Sequence, residues 1–157
     1  MVSNQKLAND LVISISTIFI LSTTILSIST NNWNVEYENS IINRTGLFQQ
    51  CSNSFCCDTK ELDRSITLLV LFSIIFLTIS TLSSCFLMAI IIDYKNQCYI
   101  LVPLTLFSAG ILMTLTLIQI LDQIYLNGYS AFIFFIDTIL AYILGAISLL
   151  HANMFYF

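Results

Sequence analysis

The stretch SITLLVLFSIIFLTISTLSSCFLMAIII, residues 65 to 92, runs for 28 residues without a charge. A helix needs about 20 apolar residues to cross roughly 30 Å of hydrocarbon, so this run is long enough to span a bilayer. In lipid the backbone has to satisfy its own hydrogen bonds, and a long run of Leu and Ile therefore becomes a helix rather than an open strand. Working outward, three more charge-poor stretches follow the same rule: Leu11 to Ser29, Tyr99 to Leu121, and Ala131 to Leu150, where Asp137 is the only charge. The chain is 57% hydrophobic and 9% charged, whereas about 25% charge is usual in a soluble domain. The expected fold is an all-α membrane protein: one four-helix domain over residues 1–157, with spans at 11–29, 65–92, 99–121 and 131–150.

Lys6 ahead of the first apolar run raises the alternative of a cleaved signal peptide. The run is longer than the 7–15 residues or so of a signal core and lacks a small-x-small cleavage site, so it reads as a retained helix. The connections are unequal: a long polar one (30–64), a tight turn (93–98), a short one (122–130), and a tail of 151–157. Four crossings put both termini on one side and the first and third connections on the other. Lysine and arginine counts do not orient the chain, because Arg44, Lys60 and Arg64 share the long connection while Lys6 and Lys95 fall with the termini.

Cysteine chemistry orients it instead. Three of five cysteines, Cys51, Cys56 and Cys57, lie within seven residues of the long connection. Paired thiols in a polar loop last only in an oxidising space, and Asn43-Arg44-Thr45 is a glycosylation sequon usable only in the lumen. The expectation is a plasma-membrane protein with both termini cytosolic. A hairpin with a four- or five-residue loop brings Cys51 within disulfide reach of Cys56 or Cys57. The shorter loop favours Cys56, and Cys57 stays open.

Trp33 in NNWNV, then Gly46-Leu47-Phe48, then Cys51 and a second cysteine, resembles the W-GLW-C-C signature of the claudin superfamily, with the peripheral myelin protein and epithelial membrane protein branch nearest in length and sequon position. Arg64 at the mouth of the second helix, Ala109-Gly110 in the third and YLNGYSAF before the fourth extend the resemblance over nearly the whole chain. Phe48 stands where the signature has its second Trp, the cysteine spacing is compressed, Asp137 replaces an expected aromatic, and Cys57 is extra. The resemblance implies a small extracellular antiparallel sheet stapled by a disulfide, with strands near Trp33 to Glu38, Thr45 to Cys51 and Phe55 to Thr59. Trp33, Leu47 and Phe48 are then expected to seat that sheet on the helix tops and the bilayer edge, where aromatic residues are favoured. A bridge across even a short loop contributes about 2–4 kcal/mol.

Within the membrane, helices associate by close packing of small residues. Ala141, Gly145, Ser148 and Ala152 recur at helical spacing on the fourth helix, and Ser14, Ser16, Ser22, Thr23 and Ser27 enrich the first; both sets are expected inside the bundle. Asp137 has no Lys or Arg within any span to pair with. A carboxylate at that depth turns to a protein interior or a partner. Thr138, Gln119 and Tyr125 are the internal candidates, and docking onto another membrane protein is the alternative. Cys98, beside the membrane, is a palmitoylation candidate, while Cys85 reads as an inert packing residue.

Catalysis finds no support. His151 sits at the exit of the last helix as a satisfied interfacial residue, no phosphate loop or nucleophile-base pair assembles, and three clustered cysteines without histidine suit a disulfide better than zinc. No cofactor, metal, nucleic acid or small-molecule substrate is expected; the partners are lipids and other membrane proteins. What the resemblance implies is a non-enzymatic adhesion or junction protein, with an auxiliary subunit of a channel or receptor as the alternative. The long connection carries a net charge of −2, which suits cations if the protein lines a paracellular path.

Overall fold

The computed structural model describes residues 2–38, 41–52, 55–58, 64–89, 98–121 and 126–156. Four helices are present: α1 (Val2–Ser29), α2 (Arg64–Ala89), α3 (Cys98–Leu121) and α4 (Tyr129–Tyr156). Each contains a stretch long and apolar enough to cross a membrane: Leu7–Ser29, Arg64–Leu87, Ile100–Leu121 and Tyr129–Asn153. Two expected boundaries move. α1 begins nine residues earlier than position 11, and α4 continues through most of the stretch 151–157 read as a tail. Both extensions lie on the side of the termini, where they meet one another at Asp10 and His151.

The helices form a closed ring in chain order, α1 against α2, α2 against α3, α3 against α4, and α4 back against α1. Outward faces carry exposed Leu, Ile and Phe throughout, for example Phe19, Phe72, Leu104 and Ile143, as a lipid solvent requires. Inward faces mix aliphatic residues with hydroxyls. Ile20, Leu77, Leu106 and Met113 are buried beside Thr17, Ser73, Ser80 and Thr116. The hydroxyls are satisfied mostly by the preceding turn of their own helix, as with Thr81 on the Leu77 carbonyl and Thr116 on the Leu112 carbonyl, a form of back-bonding that hides a polar group in an apolar medium.

Between α1 and α2 lies a four-stranded antiparallel sheet in the order β1 (Asn34–Glu38), β2 (Ile41–Thr45), β3 (Gln49–Ser52), β4 (Phe55–Asp58). The expected strand from Thr45 to Cys51 is therefore split, with Thr45 ending β2 and Gln49 to Cys51 lying in β3. Gly46, Leu47 and Phe48 form the bend between β2 and β3, and Ile41 to Thr45, not anticipated as a strand, is the central β2. At this bend Gly46 packs against the end of α1, where a Cβ would lie 2.8 Å from the Asn31 Cα.

Candidate functional site

The sheet is fixed to the helix tops through Trp33. Its ring is fully buried, its Nε1–H donates to the Ser27 carbonyl at 2.8 Å, and it packs at 5.3 Å, tilted, on Phe134 of α4. Its backbone N–H donates to the Thr45 carbonyl, which joins the end of α1 to the end of β2. Leu47 is buried beside it in the same apolar cluster. Gly46 makes this possible, because a Cβ there would lie 2.8 Å from the Asn31 Cα. Phe48, at 41% exposure, lies outside the buried cluster that holds Trp33 and Leu47.

The connection before α4 clamps the same corner. The Gly128 N–H donates to the Trp33 carbonyl at 3.0 Å and the Ser130 N–H to the Asn32 carbonyl at 3.2 Å. The approach is so close that a Cβ on Gly128 would sit 1.8 Å from the Asn32 carbonyl oxygen. Asn127 then pairs with both backbone groups of Val35: its Oδ1 accepts from the Val35 N–H at 2.8 Å and its Nδ2 donates to the Val35 carbonyl at 3.0 Å. Val35 lies on β1, an edge strand, and a side-chain amide here takes the place of a neighbouring strand. Asn32 donates to the Tyr129 hydroxyl, and Thr30 shares a hydrogen bond with Ser130. The sequence reading missed this clamp; the signal available was Asn-Gly at 127 and 128, a turn pair.

Across the sheet, Cys51 stands directly opposite Cys56, and Cys57 opposite Gln50. The pairing continues to Ser52 opposite Phe55, so the hairpin is tighter than the four- or five-residue loop expected. Cys51 is buried and its Sγ accepts from Asn31 Nδ2 at 3.1 Å. The side chains of Cys56 and Cys57 lie outside the described residues, as do Lys60, Glu61 and Asp63. Asn43 is half-buried on β2 opposite Glu36 and Ser52. Exposed groups of the sheet include Glu36, which accepts from Asn34 Nδ2 at 2.9 Å, and Arg44. Arg64 is exposed as the first residue of α2.

Inside the membrane the structure turns Asp137 inward. It is 2% exposed, and both of its oxygens accept hydroxyl bonds from α1, Oδ1 from Thr23 at 2.8 Å and Oδ2 from Thr24 at 3.0 Å. Two of the expected partners are engaged elsewhere, since Thr138 donates to the Phe134 carbonyl and Gln119 accepts from Ser65, while Tyr125 lies outside the described residues. The docking alternative loses the exposed carboxylate it needs. Thr23 and Thr24 stood in the sequence as a polar pair within an apolar run, but only the register of α1 against α4 reveals that they meet Asp137.

α3 and α4 interlock by small residues facing rings. A Cβ on Gly110 would lie 3.0 Å from the Tyr142 ring, and one on Gly145 would lie 3.4 Å from the Phe107 ring. Ala109, Ala141, Ser148 and Ala152 are buried as expected, and Ser14 and Ser27 of α1 with them. Ser22 is not; it is exposed and bonds the Ile18 carbonyl. Cys85 is also exposed, so it faces outward instead of packing in the bundle. Cys98 is the first residue of α3, with its side chain outside the described residues.

On the side of the termini His151 Nε2 lies 2.8 Å from Asp10 Oδ1, and its Nδ1 lies 3.5 Å from Asn9 Nδ2. Next to this pair a cavity of about 20 Å3 opens among all four helices, lined in part by Ile13, Ser84, Val102 and Ser148. That is room for one water. Comparison with protein-family models and with curated proteins found no match to this chain.

Proposed function

We propose that this chain is a non-enzymatic, claudin-like membrane organiser of the plasma membrane, which presents its small sheet outside the cell for adhesion or junction formation and keeps both termini in the cytosol. The observation that supports this reading is the mounting of the sheet. Four short strands have too little core to hold their own orientation, yet the Trp33 anchor and the Asn127 and Gly128 clamp tie β1 to the tops of α1 and α4. On this reading the exposed Glu36, Arg44 and Phe48 are the groups the sheet offers to a neighbour. Under this reading Cys51 bridges Cys56 across β3 and β4, and Asn43 carries a glycan.

Expression in non-adherent cells that lack junctions tests it. The protein should concentrate at contacts between expressing cells, and Glu36→Lys with Arg44→Glu should reduce that enrichment without lowering surface delivery. Equal density at contacting and free membrane would overturn the adhesion reading.

A second reading, lateral association with a channel or receptor, is favoured by one feature. The described residues of the short connection before α4 are spent on the sheet, which leaves the first connection as the main outward surface. Purification in mild detergent separates the two, since one stoichiometric foreign channel or receptor supports the second reading and self-association supports the first.

A further inference from the structure

The chain has a single Asn-Gly step, at residues 127 and 128, and the fold uses that step as the clamp on β1. Asparagine followed by glycine is the pair in which a backbone nitrogen attacks the preceding side-chain amide most readily, because glycine has no Cβ to block the approach and turns freely about its backbone bonds. Asn127 is exposed, so water reaches its amide. In the closed clamp both reacting groups are engaged. The Gly128 N–H donates to the Trp33 carbonyl at 3.0 Å, while the Asn127 amide is held by the two backbone groups of Val35 at 2.8 and 3.0 Å. Attack requires these bonds to open first.

The products of that attack do not fit the clamp they leave. An aspartate at 127 keeps an acceptor for the Val35 N–H, but sets a carboxylate oxygen where Asn127 Nδ2 donates to the Val35 carbonyl at 3.0 Å. Two acceptors then face each other and that bond is lost. An isoaspartate lengthens the backbone by one carbon just ahead of Gly128, where there is no slack: even a Cβ on Gly128 would lie 1.8 Å from the Asn32 carbonyl oxygen. Opening of the clamp is therefore reversible before the reaction and not after it.

We propose that Asn127 is a deamidation site, protected while the clamp is closed, and that its conversion irreversibly frees the β1 edge of the sheet. This rests on the clamp alone and is independent of the adhesion reading and of the side of the membrane on which the sheet lies. The Gly128 nitrogen gives its proton to hydroxide and bonds to Cγ of Asn127. The bond from Cγ to Nδ2 breaks, Nδ2 leaves as ammonia with a proton from water, and a succinimide ring is closed. Water then adds to one of the two ring carbonyls. Opening at Cγ gives aspartate, and opening at the backbone carbonyl gives isoaspartate. One water is consumed, one ammonia is released, and nothing is oxidised or reduced. The freed Val35 backbone groups become an open strand edge.

The test holds the full chain in detergent micelles near neutral pH and follows Asn127 over time by mass spectrometry of chymotryptic peptides, with methyltransferase labelling to confirm isoaspartate. A hydrogen bond is worth a net factor of about five, so the two bonds to Val35 should make conversion at least about tenfold slower in the folded protein than in urea with dodecyl sulfate. Val35→Pro removes an outward N–H from an edge strand, a position that tolerates proline, and should speed conversion about fivefold while the rate at Asn53, which precedes serine, stays unchanged. Hydrogen exchange at the Val35 amide reads the release, and should be about fivefold faster in Asn127→Asp than in the wild type. If Asn127→Asp fails to fold, the deamidated fraction of aged wild type, formed after folding, carries the same measurement. Equal conversion rates in the folded and unfolded chain overturn protection by the clamp, and exchange at Val35 unchanged by deamidation overturns the release. Conversion confined to the unfolded chain overturns the site itself.

Discussion

Replacing Asp137 tests the interior of the bundle most directly, provided the test isolates its bond to Thr24. The single variants are ambiguous, since Asp137→Leu removes two hydrogen bonds but also removes a carboxylate from an apolar medium. The pair is cleaner. Thr24 is fully buried and Asp137 is its only hydroxyl partner among the described residues, whereas Thr23 is half-buried and also bonds the Phe19 and Ile20 carbonyls. In a double-mutant cycle of Asp137→Leu with Thr24→Val, the coupling reports the bond itself. Interhelical hydrogen bonds in membranes average about 0.6 kcal/mol and reach about 1.7. Complete burial and the 3.0 Å length place this one in the upper half, about 1 kcal/mol, or roughly a fivefold change in the folding constant. The corresponding cycle with Thr23→Val should give less, about half, because Thr23 has other acceptors to turn to. Folding in mixed micelles, followed by helix content against rising dodecyl sulfate, measures all the variants on one scale. A coupling with Thr24 below about 0.2 kcal/mol, or one smaller than that with Thr23, would refute the reasoning that burial decides which hydroxyl matters.

Other outcomes follow from the geometry. Gly128→Ala should abolish surface delivery, because its Cβ meets backbone at 1.8 Å and backbone cannot move aside, whereas Gly145→Ala, at 3.4 Å from a ring, should fold and be delivered normally; surface biotinylation compares the two. Trp33→Phe keeps most of the ring but loses the bond to the Ser27 carbonyl, which should cost about 1 kcal/mol or somewhat more, against about 3–5 kcal/mol for Trp33→Ala, both read in the same micelle titration. Cys51→Ser should abolish the mobility shift on reduction of the monomer, and Asn43→Gln should remove a glycosidase-sensitive increment; a wild type unaffected by glycosidase in a glycosylating host leaves the sequon silent.

The spans were legible because a lipid solvent leaves so little choice: a long uncharged run has one stable backbone form. The sheet was legible only in part. Trp33 marked its start and the clustered cysteines marked β3 and β4, but β2 contains Asn43, Arg44 and Thr45 after two isoleucines, too little alternation to read as a strand. What folds it is pairing on both sides, a tertiary effect outside its own five residues. Asp137 was recognised as a costly acid, yet its partners were sought at Thr138 of the same helix, at Gln119 of α3, at Tyr125 in the connection between them, or on another membrane protein. Helix α1, 113 and 114 residues away, supplies both. Periodicity tells which face of a helix is polar, not which helix lies opposite. The Asp10 and His151 pair was hidden for a different reason: both residues sit where α1 and α4 extend beyond their apolar runs, so each looked like part of a terminus.

These polar contacts are concentrated where chain connectivity does least. α1 to α2, α2 to α3 and α3 to α4 are consecutive along the chain, and among the described residues each of these seams carries one bond between side chains: Thr17 to Ser84, Ser65 to Gln119, and Thr114 to Tyr142. The seam between α1 and α4 joins the two ends of the chain and has no connection of its own. It carries His151 to Asp10, Thr23 and Thr24 to Asp137, and Thr30 to Ser130. At 1.5 Å per residue these lie along α1 at three levels, the first two separated by about 20 Å and the last two by about 10 Å. Apolar faces are interchangeable in lipid, because hydrocarbon solvates one as well as another. A helix pair that neither a short connection nor apolar burial selects has to be chosen by groups with specific partners. The stitches of α1 to α4 thus close the ring, and in closing it they bring the end of α1 and the start of α4 together beneath the sheet, where Trp33, Asn127 and Gly128 fix its orientation.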